Sequence, residues 1–463
     1  MTRTRDASFD VAEAACGLSA DALAPQSLQA AKRLVADSLA VGIAGCRGRD
    51  TQAVHALAEN WGGRAECSLI GSRLRVPMPH AALVNGTAIQ ALDFDDTHDP
   101  SAAHTASTVL AAALAVGEAR GSSGMDLILA LVAGVEVAAR VGLASHTNIG
   151  FTSTAVYGVF GATVAAARLL GLDARTTRHA LGIAISQAAG TSQTAIDRPL
   201  SKHIQSGFAA QAGVTAALLA QHGVSGVEQV FEGTYGFFEI YKRGKFSIEP
   251  LLAPWGPGFQ IERLSLKPWP SCRGTHGPIE AALALQRAGI DARRIAAIDV
   301  EVPRMAMQLC GNPKASTDDP EIAAQFSIAY TVATALIHGS VSLKRFTREA
   351  IADSAVRALA GRVTIRECEG SDFVPARITV TLDDGSVRAH RVECLTGSPE
   401  LPLSEADLRA KVEDCLGYAP AGCAAWDGQS LLTQVKALET LLVRDLMAGV
   451  VPDPMESTME SRQ

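Results

Sequence analysis

From about Asp10 to Tyr241 the chain places Ala, Leu and Val at intervals of three and four residues, the spacing that gathers side chains on one face of a helix. Gly and short polar stretches break this pattern into segments. Helices are predicted over 27–42, 78–92, 107–119, 126–143, 157–170, 176–189 and 207–222. The most apolar stretches, 107–116 and 127–135, are short and bounded by Glu118, Asp126 and Glu136, so they read as buried helices rather than membrane spans. Gly158, Gly161, Ala162 and Ala165 to Ala167 are small residues suited to close helix packing. That reading is preferred to a phosphate-binding loop.

The pattern changes after Pro250, where Pro254, Pro257, Pro268 and Pro270 cluster. Residues 295–302 alternate as a strand does. Residues 376–382, Asp383-Asp384-Gly385-Ser386 and residues 387–395 read as a hairpin. Helical periodicity returns over 404–447. The predicted fold class is mainly α: a large all-helical domain made of 1–264 plus 402–450, a smaller inserted α+β domain over 265–401, and a loose tail over 451–463.

The chain has 463 residues, 48% of them hydrophobic, ample for a large core. A charged fraction of 19% and a net charge of −7 argue against a nucleic-acid partner, which needs a basic face. An anionic substrate must then be held by locally placed cations. The N-terminal residues MTRTRDASFD carry charge without an apolar segment, so the expectation is a cytoplasmic protein with no membrane partner. Nine cysteines without a C-x-x-C pair point to free thiols.

Asp93, Asp95, Asp96, His98, Asp99 and His104 crowd into twelve residues of an otherwise apolar region. Carboxylates and imidazoles so close shift one another's pKa values, the usual setting for acid–base work. The plainer alternative is a loop whose aspartates cap the helix that follows. Asp95-Asp96-Thr97-His98-Asp99 also fits D-D-x-x-D, a magnesium-binding pattern of helical terpenoid synthases. Without a second such motif, and with only 5% aromatic residues to line a carbocation pocket, that rival is weak.

The stretch LDFDDTHDPSAAHTAS resembles a signature of the MmgE/PrpD family, which includes 2-methylcitrate dehydratases, cis-aconitate decarboxylases and iminodisuccinate epimerases. GVFGATVAAARLLGL, SKHIQSGFAAQAGVTAALLAQHGVSG with FEGTYGFF, LKPWPSCRGTH and EIAAQFSIAYTVATAL resemble further family blocks in the family's order. The resemblance implies a metal-free, cofactor-free enzyme acting on a small di- or tricarboxylate as a homodimer. It marks Lys202, His104, Cys272 and Asp93 as catalytic, and Thr97, His276 and Tyr330 as substrate-binding; Arg273 joins the substrate-binding set as a candidate carboxylate holder by its charge. It also implies a site where the two domains meet. This chain departs from the family's decarboxylases, which carry a histidine where Cys272 stands. It has an extra residue between Thr97 and His104, and no histidine in Gly150-Phe151-Thr152-Ser153.

The chemistry has its own demands. A proton beside a carboxylate is weakly acidic, so a base must be placed at it and cations around the developing charge. Lys202 suits the cation or, desolvated, the base, and His104 can exchange a proton near neutrality. Cys272, beside Arg273 in a Pro-rich turn, is favoured as thiolate. Arg73, Arg198 and Lys267 are further cations of the right kind. A thiol paired with a second acid–base group can work both faces of one carbon, so the first expectation is an epimerase resembling iminodisuccinate epimerase. A hydro-lyase resembling 2-methylcitrate dehydratase, or a decarboxylase resembling cis-aconitate decarboxylase, is the alternative.

Overall fold

A computed structural model describes residues 5–147, 150–311, 318–371 and 373–453. The chain divides into two units, Met1–Ser192 with His203–Ser265 and Leu408–Gln463, and Gln193–Lys202 with Leu266–Asp407. Of the tail expected over 451–463, everything from 454 on lies outside the described residues.

Among the described residues, the regular structure of the larger unit is helical apart from one short antiparallel pair, Cys67–Ser68 with Arg75–Val76. At its centre runs the helix Ala106–Arg120, whose residues 106 to 118 are all buried. A helix apolar on every side is stable only when surrounded. Here Met78–Gln90, Gly124–Leu143 and Ser153–Leu169 pack around it, and Val443–Gly449 closes its far end. Ser123 and Asp126 form a reciprocal cap at the start of Gly124–Leu143. The small-residue reading is met by a mutual contact. A Cβ on Gly134 would lie 2.7 Å from the Gly161 carbonyl oxygen, and one on Gly161 would lie 2.5 Å from that of Gly134. Backbone thus touches backbone between Gly124–Leu143 and Ser153–Leu169. The C-terminal segment is bound into the same unit, with Lys32 Nζ 2.5 Å from Glu439 and the Gly71 N–H donating to the Val450 carbonyl at 2.9 Å.

The smaller unit holds a four-stranded sheet in the order Val363–Cys368, Ile295–Pro303, Ala376–Leu382, Val387–Val392. The predicted strand and hairpin are present, and the hairpin turns through Gly385 at a φ of 80°. Val363–Cys368 is a strand that the sequence reading left out. It pairs parallel to Ile295–Pro303 at the sheet edge, where no residue is fully buried. The helices His276–Arg287 and Ile328–His338 supply the rest of this unit's core.

Two helices start at least four residues earlier than predicted, at Ser153 rather than 157 and at Ser201 rather than 207. Their polar first turns carry no apolar periodicity to mark them. Among the described residues no helix is long and apolar enough to cross a membrane. All nine cysteines are free thiols.

Candidate functional site

In the larger unit the acidic loop runs from the helix Met78–Gln90 to the start of Ala106–Arg120. Its first carboxylate, Asp93, is buried and takes a φ of 51°, a left-handed conformation that Asp tolerates better than most residues. Its N–H donates to the Gln90 carbonyl at 3.0 Å.

Asp96 is fully buried. It accepts the N–H groups of Thr105 and Ala106 at 3.0 and 2.9 Å and the Thr105 hydroxyl at 2.7 Å. It therefore satisfies the free donors at the start of Ala106–Arg120, as the capping alternative required. Burial and the neighbouring Asp95 push its pKa up, and these donors work against that rise.

His104 is held at three points. Its N–H donates to Thr154 Oγ1 at 3.0 Å, and its Nδ1 lies 2.7 Å from the Asp96 carbonyl oxygen and 3.3 Å from Asp95 Oδ1. A carbonyl can only accept, so Nδ1 carries the proton and Nε2 is the basic nitrogen of the neutral ring. The side chain remains 19% exposed.

The other histidine of the loop has a different fate. His98 is fully buried, with Nδ1 2.8 Å from the Ser101 hydroxyl and Nε2 3.1 Å from Gln260 Oε1. Burial pushes its pKa down to about 4, leaving a neutral, structural ring.

Thr97 is buried and exchanges both backbone hydrogen bonds with Ser265, at 2.9 and 2.7 Å, while the Ser265 hydroxyl donates to Asp99 at 2.7 Å. The three aspartates of D-D-x-x-D thus turn to different partners. Among the described residues no three metal-ligating side chains come together.

One contributor was missed in the sequence. Lys411, 317 residues further along the chain, is buried with its ammonium donating to the Phe94 carbonyl at 2.8 Å and lying 2.6 Å from Asp37 Oδ1. Neither residue carries a local sign of this, since Lys411 sits in a helix of mixed charge and Asp37 in the middle of an apolar one.

In the smaller unit, Lys202 is partly exposed at the start of the helix Ser201–Gln221, with Nζ 4.9 Å from the centre of the Phe326 ring. Arg198 is buried at a φ of 58°, its guanidinium 5.8 Å from the same ring and donating to the Leu309 carbonyl at 3.3 Å. Burial lowers the Arg198 pKa, and the thiols of Cys310 and Cys272 act against that fall. The Cys272 backbone is fixed by an N–H donated to the Gln325 carbonyl at 3.0 Å and by a carbonyl accepting from Thr275 at 2.9 Å. Its thiol is buried.

Arg273 is buried and reaches the Thr396 carbonyl at 3.3 Å and His276 Nδ1 at 3.4 Å. His276 Nε2 lies 3.2 Å from the Ser271 carbonyl, so Nε2 carries the proton and Nδ1 accepts. Its ring packs edge-on to Trp269 at 5.3 Å. The Tyr330 hydroxyl donates to the Arg345 carbonyl, and burial pushes its pKa up. Lys267 is fully buried, whereas Arg73 lies at the surface and donates to the Asp453 carbonyl.

Comparison with known proteins bears on these two groups of residues. Residues 10–249 match the MmgE/PrpD N-terminal domain and residues 269–424 match the MmgE/PrpD C-terminal domain. The chain belongs to the MmgE/PrpD family. It is 28% identical to a cis-aconitate decarboxylase of Homo sapiens over 461 residues, 95% of this chain and 94% of the relative. It is 31% identical to a cis-aconitate decarboxylase-like protein of Aspergillus oryzae, over 83% of this chain and 85% of the relative. A 2-methylcitrate dehydratase of Cupriavidus necator is 26% identical over 68% and 70%. These MmgE/PrpD relatives bear the names of lyases, and the lyase alternative fits them better than the epimerase first expected. A cysteine at position 272 is compatible with either, since a buried thiol packs as a small hydrophobe.

Proposed function

We propose that this chain is a cofactor-independent lyase that decarboxylates cis-aconitate or a closely similar tricarboxylate. The observation that carries the reading is the end-to-end similarity to cis-aconitate decarboxylase. The His104 geometry supports it. Loss of carbon dioxide leaves an electron pair that the adjoining double bond takes up, and the step is completed by one proton delivered to carbon. With Nδ1 tied to the Asp96 carbonyl, His104 gives or takes that proton through Nε2. Asp96 fixes the ring through its main chain and the following helix through its carboxylate, and Asp93 shapes the turn that presents both.

Three substrate carboxylates require cations. Lys202 and Arg273 are the proposed holders, with Thr97 as a hydrogen-bonding partner. His276 and Tyr330, whose polar atoms are satisfied within their own unit, support the shape of the Cys272–Arg273 segment. Cys272 lines the same segment as a buried thiol. Homodimerisation belongs to the same reading.

The test is NMR in D2O with cis-aconitate, 2-methylcitrate and iminodisuccinate supplied separately. Decarboxylation releases carbon dioxide from cis-aconitate and leaves one deuterium in the product. Water loss from 2-methylcitrate with cis-aconitate untouched would replace this reading by the dehydratase, which the Cupriavidus necator relative favours. Deuterium entering iminodisuccinate alone would return the epimerase.

A further inference from the structure

We infer that Lys411 is a positioning residue for the acid–base histidine, setting both the shape of the Asp93–Thr97 turn and the charge around His104. The inference rests on the reading of His104 as the proton carrier.

The ammonium is buried, tied to this turn through Phe94 and to the helix Pro25–Gly45 through Asp37. It donates to the Phe94 carbonyl at 2.8 Å, stands 4.0 Å from the centre of the Phe94 ring and lies 2.6 Å from Asp37 Oδ1. Two residues on from Phe94, the Asp96 carbonyl takes the Nδ1 proton of His104. A shift of the turn is therefore a shift of the imidazole.

The charge count makes the same point. Asp37, Asp95 and Asp96 are all fully buried, and each acts electrostatically on a neighbour within the group. Asp37 is pushed up to about 6 by burial, a rise that Lys411 holds in check. Among the described residues, the titratable groups of this turn and the elements Lys411 touches include Asp37 on Pro25–Gly45, Asp93, Asp95, Asp96 and His104 in the loop, and Cys415 one turn along from Lys411. Burial keeps Cys415 a neutral thiol. Lys411 is thus a permanent cation paired directly with Asp37, whose carboxyl stands within electrostatic reach of Asp95 and Asp96. Without it, Asp37 takes up its proton at a higher pH, while the remaining loop carboxylates lose the cation beyond the Phe94 carbonyl; that loss favours the imidazolium, and His104 holds its proton to higher pH.

The experiment follows the His104 ring carbon resonance through a pH titration of the full chain with 13C-labelled histidine, assigned by its loss in His104→Gln. In Lys411→Met the midpoint is expected to rise by about one unit, a tenfold gain in proton affinity. The pH profile of kcat/KM should move the same way, with kcat falling and KM nearly unchanged. Lys411→Arg should restore both. Should Lys411→Met fail to fold, Asp37→Asn removes one carboxylate from the same group and must move the midpoint down. An unmoved midpoint in the folded variants, with turnover falling only as the folded fraction falls, overturns the inference. The titration is read without turnover. A shifted midpoint beside a fully active His104→Gln would therefore remove the proposed role of His104 and leave the electrostatic link to Lys411 standing.

Discussion

The Leu92–Thr105 loop of the larger unit and the Ser271–His276 turn of the smaller one look alike as sequence, each offering imidazole and charge beside a proline. They differ in how far each ring is enclosed. In the loop, His104 has one nitrogen committed to a backbone carbonyl and keeps 19% of its side chain exposed. In the turn, His276 is fully buried with Nε2 committed to Ser271 and Nδ1 facing Arg273. Residue type nominates a group for acid–base work, but partners and exposure decide whether it can do any.

The sharpest test of that contrast is to remove each ring. His104→Gln is expected to lower kcat by about 10²- to 10⁴-fold, the usual worth of a general acid or base, while His276→Gln lowers thermal stability and leaves turnover per folded molecule nearly unchanged. If the two losses exchange places, the contrast is reversed.

A smaller effect, on stability, comes from His98. The unfolded ring titrates near 6.5 and the folded one near 4. As pH falls from 6.5 towards 4 the unfolded chain therefore takes up a proton that the folded chain refuses, and stability is lost across that window. The size is roughly 3 kcal/mol. Denaturant midpoints measured across pH 4–7 should flatten in His98→Asn.

Asp96→Ala removes the acceptor for three donors at the start of Ala106–Arg120, and a cost of about 2 kcal/mol is expected in chemical denaturation. The smallest effect is that of Cys272→Ser, which in a lyase should change kcat/KM by no more than about 1 kcal/mol, roughly fivefold. A larger loss would return the thiol to the chemistry.

Much of the architecture was legible in spacing. The all-round apolar run at 107–116 announced a central helix, and alternation over 376–382 and 387–395 announced a hairpin. The edge strand Val363–Cys368 was not legible, because half-exposed positions leave only a faint alternation. The acidic loop was visible as a dense polar insert, but its division into cap, structural ring and proton carrier was not. Asp96 and Asp95 are neighbours of one type, and only the folded backbone turns one to the helix start and the other to His104. Lys411 was beyond reach for a simpler reason: its partners lie more than 300 residues away, and no periodicity links them.

The left-handed turn at Asp93 has a use in a saturation library. Gly and Asn tolerate that backbone angle about as readily as Asp does, whereas Ala and Val do not. Survivors at this position therefore sort into two classes, substitutions that keep the loop's path and substitutions that keep its carboxyl group, and Asp alone belongs to both. Ranking such a library once by expression and once by turnover would separate the demands of folding from those of catalysis at a single codon.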